Sequence, residues 1–194
     1  DGNSNEKKTL LPIFHMTFKS QICITIDGDG NFMSAIRDNK DVTIIIPCTE
    51  RSSGRSSGIA AHPLCDQLDY ICGINEDKTR AYLEGLSTWI RENELLNAIH
   101  SYIAGKTIIT NLLKEALFKD SEYQTMVDKS FEQQLDYEKI RKIGVRFAVY
   151  IHGKTENVWE NLDLRKAWIH HINSSANNGN NTFDYLSGEV VSNI

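Results

Sequence analysis

From Leu10 onward the hydrophobic positions fall into two periods. Phe14, Met16 and Phe18 alternate with polar neighbours, and Ile22, Ile24 and Ile26 alternate with Cys23 and Thr25. A period of two places each set on one face of a sheet. The D-G-D-G-N run from Asp27 to Asn31 tolerates positive φ and turns the chain, so that Phe32–Ile36 returns as the partner strand of a β-hairpin. Val42–Ile46 is β-branched, closes at Pro47, and predicts a third, central strand. Beyond it the period becomes helical. His62-Pro63 opens a helix carrying Leu64, Leu68 and Ile71 on one stripe and ending at Gly73. Asn75 caps the next helix, with Tyr82, Leu86, Trp89 and Ile90 at helical spacing; the pattern resumes at Leu95, Leu96, Ile99, Tyr102 and Ile103. Gly105 breaks it, and Thr107 caps a helix running from Ile108 to Leu117. Ser121–Glu138 has helical propensity but a weak stripe of Tyr123, Val127 and Phe131. Ile143–Ile151 alternates again and predicts a strand with one wetter face, formed by Arg146, Ala148 and Tyr150. Leu162–Ile172 is a short amphipathic helix carrying Leu164 and Trp168. After it, Asn173–Thr182 predicts a loop, Phe183–Leu186 a strand and Ser187-Gly188-Glu189 a turn.

Strands, then helices, then strand and helix make an α+β protein: an N-terminal hairpin and mixed sheet packed with a cluster of helices, the late strand joining the sheet. With 194 residues, 40% of them hydrophobic, the chain is expected to form one α+β domain over 1–194, with 74–138 as a helical insertion or subdomain. No run approaches the roughly 18 apolar residues that span a bilayer. The polar lead D-G-N-S-N-E-K-K lacks the apolar core of an export signal, which predicts a cytoplasmic protein with no membrane contact. Cys23, Cys48, Cys65 and Cys72 form no C-x-x-C pair and suit buried free thiols, Cys65 and Cys72 sharing one face of the helix that begins at Pro63. The net charge of −5 excludes a broad basic field, so any nucleic-acid contact is local or shared with basic partners.

The most pointed chemistry lies between Cys48 and Tyr70, where the tetrad R-S-S-G occurs twice. Arg51, Ser52, Ser53 and Gly54 are followed by Arg55, Ser56, Ser57 and Gly58. Guanidinium forks, hydroxyls and backbone N–H groups with nothing bulky before them suit a phosphate or a base edge, although the same composition suits an ordinary surface loop. Asn31, at the hairpin tip, is a second candidate. Lys139, Arg141, Lys142 and Arg146 form a modest basic run of the kind that usually makes a solvated face. Asp27, Asp29 and Asn31 alternate as in a calcium loop, but Phe32 stands where that loop needs glycine, so no metal is expected. No hydrolase elbow, zinc-protease pair or dinucleotide fingerprint is present in the sequence, and no cofactor is expected. A Cys–His nucleophile using His62 with Cys48 or Cys65 is the enzymatic alternative, against which His62 precedes proline and suits a helix start.

The blocks H-M-T, I-T-I-D-G-D-G-N-F, I-P-C-T-E-R-S-S-G-R-S-S-G-I-A-A-H-P-L-C-D-Q-L-D-Y, V-R-F-A-V and L-S-G-E, in this order, resemble the N-terminal region of the large subunit of the type I-C CRISPR interference complex, Cascade. The likeness runs from about Pro12 to Glu189; Leu95–Tyr137 adds little to it. It implies a non-enzymatic subunit of a crRNA-guided surveillance complex. The implied partners are the crRNA 5′ end, target double-stranded DNA beside the protospacer, the other Cascade subunits, and the helicase-nuclease it helps recruit. It also implies that the chain is an N-terminal fragment of a longer one, with the polar lead in place of an N-terminal helix. Which residues read the flanking motif does not follow from the resemblance.

Overall fold

The computed structural model describes residues 10–125 and 134–188, with residues 178–188 as backbone only. The polar lead, the Val127–Phe131 stripe and Glu189 lie outside the described residues.

The fold is α+β. Its frame is a long hairpin of β1 (His15–Asp27) and β2 (Phe32–Pro47), antiparallel from His15↔Pro47 to Ile26↔Phe32. The turn holds itself closed. Asp27 Oδ1 accepts from the Asp29 and Asn31 N–H groups at 3.0 and 2.8 Å, and Asp27 Oδ2 accepts from Asn31 Nδ2 at 2.9 Å. Gly30 sits at φ +84°, and a Cβ there would lie 2.6 Å from the Ala98 carbonyl oxygen, so glycine is required twice over.

The strand segments expected around Phe18 and Ile22–Ile26 are one strand, and those of Phe32–Ile36 and Val42–Ile46 are another. Between Ser20 and Ile22 the register skips from Val42 to Arg37, so β2 leaves the ladder over Asp38–Asp41 and rejoins it. Val42–Ile46 is therefore not central. With β3 (Asp66–Gln67), β4 (Gly144–Ile151) and β5 (Lys154–Asn157), the sheet order is β2-β1-β4-β3, with β2 at the edge and β5 paired to β4. Its apolar character reports burial rather than rank in the sheet: Ile44 and Ile46 are buried.

β4 runs parallel to β1, from Ile22↔Val145 to Asp27↔Tyr150, and its predicted wet face is largely dry. Arg146 is 6% exposed. Its guanidinium donates to Asp38 Oδ2 at 2.6 Å and Ser20 Oγ at 3.1 Å and lies 5.2 Å from the Trp159 ring. The β2 excursion supplies this carboxylate, which is why a charge can be buried there.

Helices α3 (Glu76–Ser87), α4 (Glu94–Ala104) and α5 (Ile108–Lys114) follow the periodicity closely. Asn75 and Asn93 cap α3 and α4 by accepting from Lys78 N and Leu96 N. Thr107 occupies the N-cap position of α5 without a side-chain cap bond, and α5 stops at Lys114. Tyr82, Leu86, Leu96, Ile99 and Ile108 share one buried cluster with Ile22, Ile24, Val145 and Phe147.

The helix expected from Pro63 does not form there. Asp66–Gln67 is a two-residue strand, β3, and only Leu68–Ile71 is helical, as α2. Pairing of Asp66 with Val145 and Gln67 with Gly144 overrides the local helical stripe, and Cys65 and Cys72 do not share a helix.

After a short turn of helix, α6 (Tyr137–Ile140), the final helix, α7, runs Leu162–Gly188 through the expected loop and strand. No proline interrupts it, and its start is strongly fixed. Asn161 Oδ1 accepts from Leu164 N, and buried Trp168 donates from Nε1 to the carbonyls of Phe14 and Cys48 at 3.1 and 3.3 Å. Among the described residues no helix is long and apolar enough to cross a membrane.

Candidate nucleic-acid interface

The connector leaves the sheet at Pro47. Thr49 caps a single helical turn, α1 (Glu50–Ser53), in a reciprocal box: Ser52 N donates to Thr49 Oγ1 at 3.0 Å, and Thr49 N donates to Ser52 Oγ at 2.9 Å. Ser52 is thereby buried and committed to the backbone. Arg51 projects into solvent, with one long bond, 3.4 Å, to the Ile59 carbonyl. Ser53 is exposed, its hydroxyl bonded to the Glu50 carbonyl, and exposed Gly54 ends the turn.

Arg55 behaves in the opposite way. It forks onto Asp66, with Nη2···Oδ1 at 2.6 Å and Nη1···Oδ2 at 3.0 Å, and Nη1 also donates to the Ala60 carbonyl at 2.9 Å. Its guanidinium carbon stands 4.2 Å from the centre of the Tyr70 ring, whose hydroxyl accepts from Ala60 N. Asp66 is fully buried and takes two further N–H bonds, from His62 and Gln67, each at 2.7 Å. Burial works against the charge on Arg55, but the hydrogen bonds and field of Asp66 outweigh it, and the guanidinium pKa lies above its ordinary value. Arg55 is an anchor that fixes both ends of the loop. The carboxylate it needs is made available by β3: Asp66 faces inward because it pairs with Val145.

Beyond the anchor, Ser56, Ser57 and Gly58 stand exposed, and Gly58 adopts φ +75° with no atom within 4 Å of where a Cβ would sit. They form one wall of an open cleft of about 310 Å³. Lys78, Arg141 and Lys142 also line it as a basic wall, and Gln67, Asp69 and Tyr70 complete the lining. Two backbone bonds bring the walls together, Leu68 N to the Ile143 carbonyl and Asp69 N to the Arg141 carbonyl, both at 2.9 Å. Buried Asp69 accepts from Lys78 Nζ and the Tyr137 hydroxyl and lies 3.8 Å from Arg141, which also pairs with Glu138 at 2.7 Å.

The structure thus separates the sequence candidates. Arg55, Ser56, Ser57 and Gly58 line the cleft; Arg51, Ser53 and Gly54 are exposed on the adjoining turn; Ser52 is internal. Asn31 is exposed but bonded to Asp27, at a hairpin tip that packs on α4 and does not line the cleft. Sequence reasoning missed Lys78, Arg141 and Lys142 as neighbours of the loop. The basic run at 139–142 was the only signal, and Arg146, which belongs to that run by sequence, is buried away from it.

The enzymatic alternative fares differently. Burial pushes the Cys65 thiol up to about 12 and raises Cys48 as well, which keeps both protonated and weakly nucleophilic. All four cysteines are free and buried. Among the described residues no cluster of three metal-ligating side chains occurs.

An α+β frame that holds hydroxyls, free backbone donors and basic side chains around an open cleft has the chemistry of an anion-binding surface. The model of the family CRISPR-associated protein (Cas_Csd1) matches residues 1–193, and the chain belongs to that family. Membership implies a subunit of the CRISPR Cascade complex. No curated protein matches the chain.

Proposed function

We propose that this chain is the N-terminal α+β domain of a type I-C Cascade large subunit, acting in the cytoplasm. In this reading it contacts nucleic acid, either target DNA beside the protospacer or the crRNA 5′ end, and helps recruit the helicase-nuclease while carrying out no chemistry itself. Within residues 74–138, α3, α4 and α5 form a helical insertion or subdomain. The observation that carries the reading is the connector. Exposed Arg51, Ser53, Ser56, Ser57 and Gly58 are presented outward from a segment clamped by the Arg55–Asp66 pair. Guide pairing reads the target, so the protein need meet only a short flanking motif and the sugar–phosphate backbone. A chain of net charge −5 suits this role when basic neighbours and the ordered complex supply the long-range field.

The test is target-duplex affinity of the assembled complex across a salt series. Arg51→Ala should weaken binding about threefold to tenfold and remove roughly one phosphate contact from the salt slope. Unchanged affinity together with impaired assembly would instead favour a scaffold without nucleic-acid contact. One observation speaks for that second reading: Leu10, Leu11, Ile13 and Phe14 are all exposed apolar side chains, next to the turn at Cys48–Glu50.

A further inference from the structure

The cleft between the connector and the basic wall has one cation more than its own carboxylates answer. Arg55 is paired with Asp66, Lys78 with Asp69, and Arg141 with Glu138. Lys142, exposed on the same wall, has no ion-pair partner among the described residues. The backbone N–H groups of Ser56, Ser57 and Gly58, residues that line the same cleft, donate to no acceptor among the described residues. The left-handed Gly58 leaves that side of the loop open to a ligand. Successive free N–H groups in a turned segment form an anion-binding concavity. Two hydroxyls and the exposed Lys142 ammonium complete a donor set with, among the described residues, a single unpaired positive charge.

From this we infer that the cleft is a seat for one phosphodiester group of a nucleic-acid backbone. Lys142 and the Ser56–Gly58 amides are its ligands, and Arg55 and Asp66 are positioning residues that never touch it. A diester carries one negative charge and matches the single free cation, whereas a terminal phosphate brings nearly two charges toward buried Asp69. Lys142 and the Ser56–Gly58 loop come from chain segments more than eighty residues apart, held by the β3–β4 pairing, so the seat is preformed. This inference rests on the nucleic-acid reading above and assigns Lys142, which that reading does not use.

The experiment places Lys142→Glu, Lys142→Ala and Lys142→Arg in the assembled complex, with Arg51→Ala measured in parallel. Readouts are target-duplex affinity by fluorescence anisotropy across a salt series and the crRNA content of the purified complex. Lys142→Glu should weaken one of the two about tenfold or more, Lys142→Ala should remove about one contact from the salt slope, and Lys142→Arg should stay within about twofold. Loss of duplex affinity with intact crRNA identifies DNA as the source of the phosphate, and loss of crRNA identifies the guide. If Arg51→Ala weakens binding while Lys142→Glu changes neither readout, the seat is overturned and the nucleic-acid reading stands. If neither substitution changes either readout, both fall. Exclusion of the Lys142→Glu subunit from the complex, with Lys142→Ala binding normally, also overturns the seat, because it marks Lys142 as the partner of a neighbouring subunit's carboxylate.

Discussion

The two R-S-S-G tetrads are identical in sequence and opposite in structure. In the first, Arg51 points into solvent, Ser52 is buried as half of a capping box, and Gly54 ends a helical turn at φ −103°. In the second, Arg55 is clamped to Asp66, Ser56 is exposed, and Gly58 holds φ +75°. Their neighbours account for the difference. Thr49 stands before the first tetrad and offers its hydroxyl to Ser52 N, which winds that tetrad into a turn. The second starts where the turn has ended and lies within reach of a buried carboxylate eleven residues ahead. A four-residue motif therefore carries little meaning apart from the partners that the fold brings to it.

The largest test of this contrast is the anchor. Asp66→Ala strands the Arg55 guanidinium and two N–H groups in a dry site and should cost about 3–5 kcal/mol in denaturant unfolding. Arg55→Ala should come close to that, while Arg51→Ala should stay within about 0.5 kcal/mol. Equal effects of the two arginine substitutions would mean that the tetrads are interchangeable.

Next comes His62, 4% exposed beside Asp66 and edge-on to Phe18 at 5.9 Å. Burial is the main cause that lowers its pKa to about 4 from 6.5; Asp66 opposes that shift and Arg55 adds to it. The unfolded chain takes up the proton first, so the neutral ring's contribution is complete above pH 6.5 and is lost as pH falls toward 4. The loss should reach about 3 kcal/mol. Urea midpoints measured between pH 7 and 4 should show this slope, and His62→Leu should flatten it.

The serines give a smaller effect. Ser52→Ala removes the hydroxyl half of the capping box and should cost about 1 kcal/mol, against less than about 0.5 kcal/mol for Ser56→Ala at the same place in the second tetrad. The glycines come last. Gly58→Ala should destabilise by about 1 kcal/mol because of its positive φ, whereas Gly54→Ala should be neutral or slightly stabilising. Thermal melts of the four variants would show whether the tetrads differ as the backbone says.

Local chemistry made much of this molecule legible in advance. The Asp27–Asn31 turn, the Asn75 cap, the spacing of Tyr82 and Leu86, and the strand at Val145–Ile151 depend on interactions within a few residues, and each lies where its pattern placed it. What failed did so because it required knowing a distant partner. The excursion at Asp38–Asp41 has no local mark, because its purpose is met by Arg146, more than a hundred residues away. The stripe of Leu64, Leu68 and Ile71 was real as burial but wrong as helix, since β4 offered Asp66 and Gln67 a ladder. The Asn-rich end of α7 shows how weak composition is once a helix has been started and anchored at Trp168.

The amino-acid sequence on its own determined the fold class, the hairpin, the Asn75 cap and the small, hydroxyl-rich character of the connector, because propensity and periodicity are properties of neighbouring residues. Tertiary structure alone decided which arginine is an anchor and which is free. It also decided that Lys142 and Ser57 line one cleft, because ion pairing and close approach depend on distances that only the folded sheet establishes.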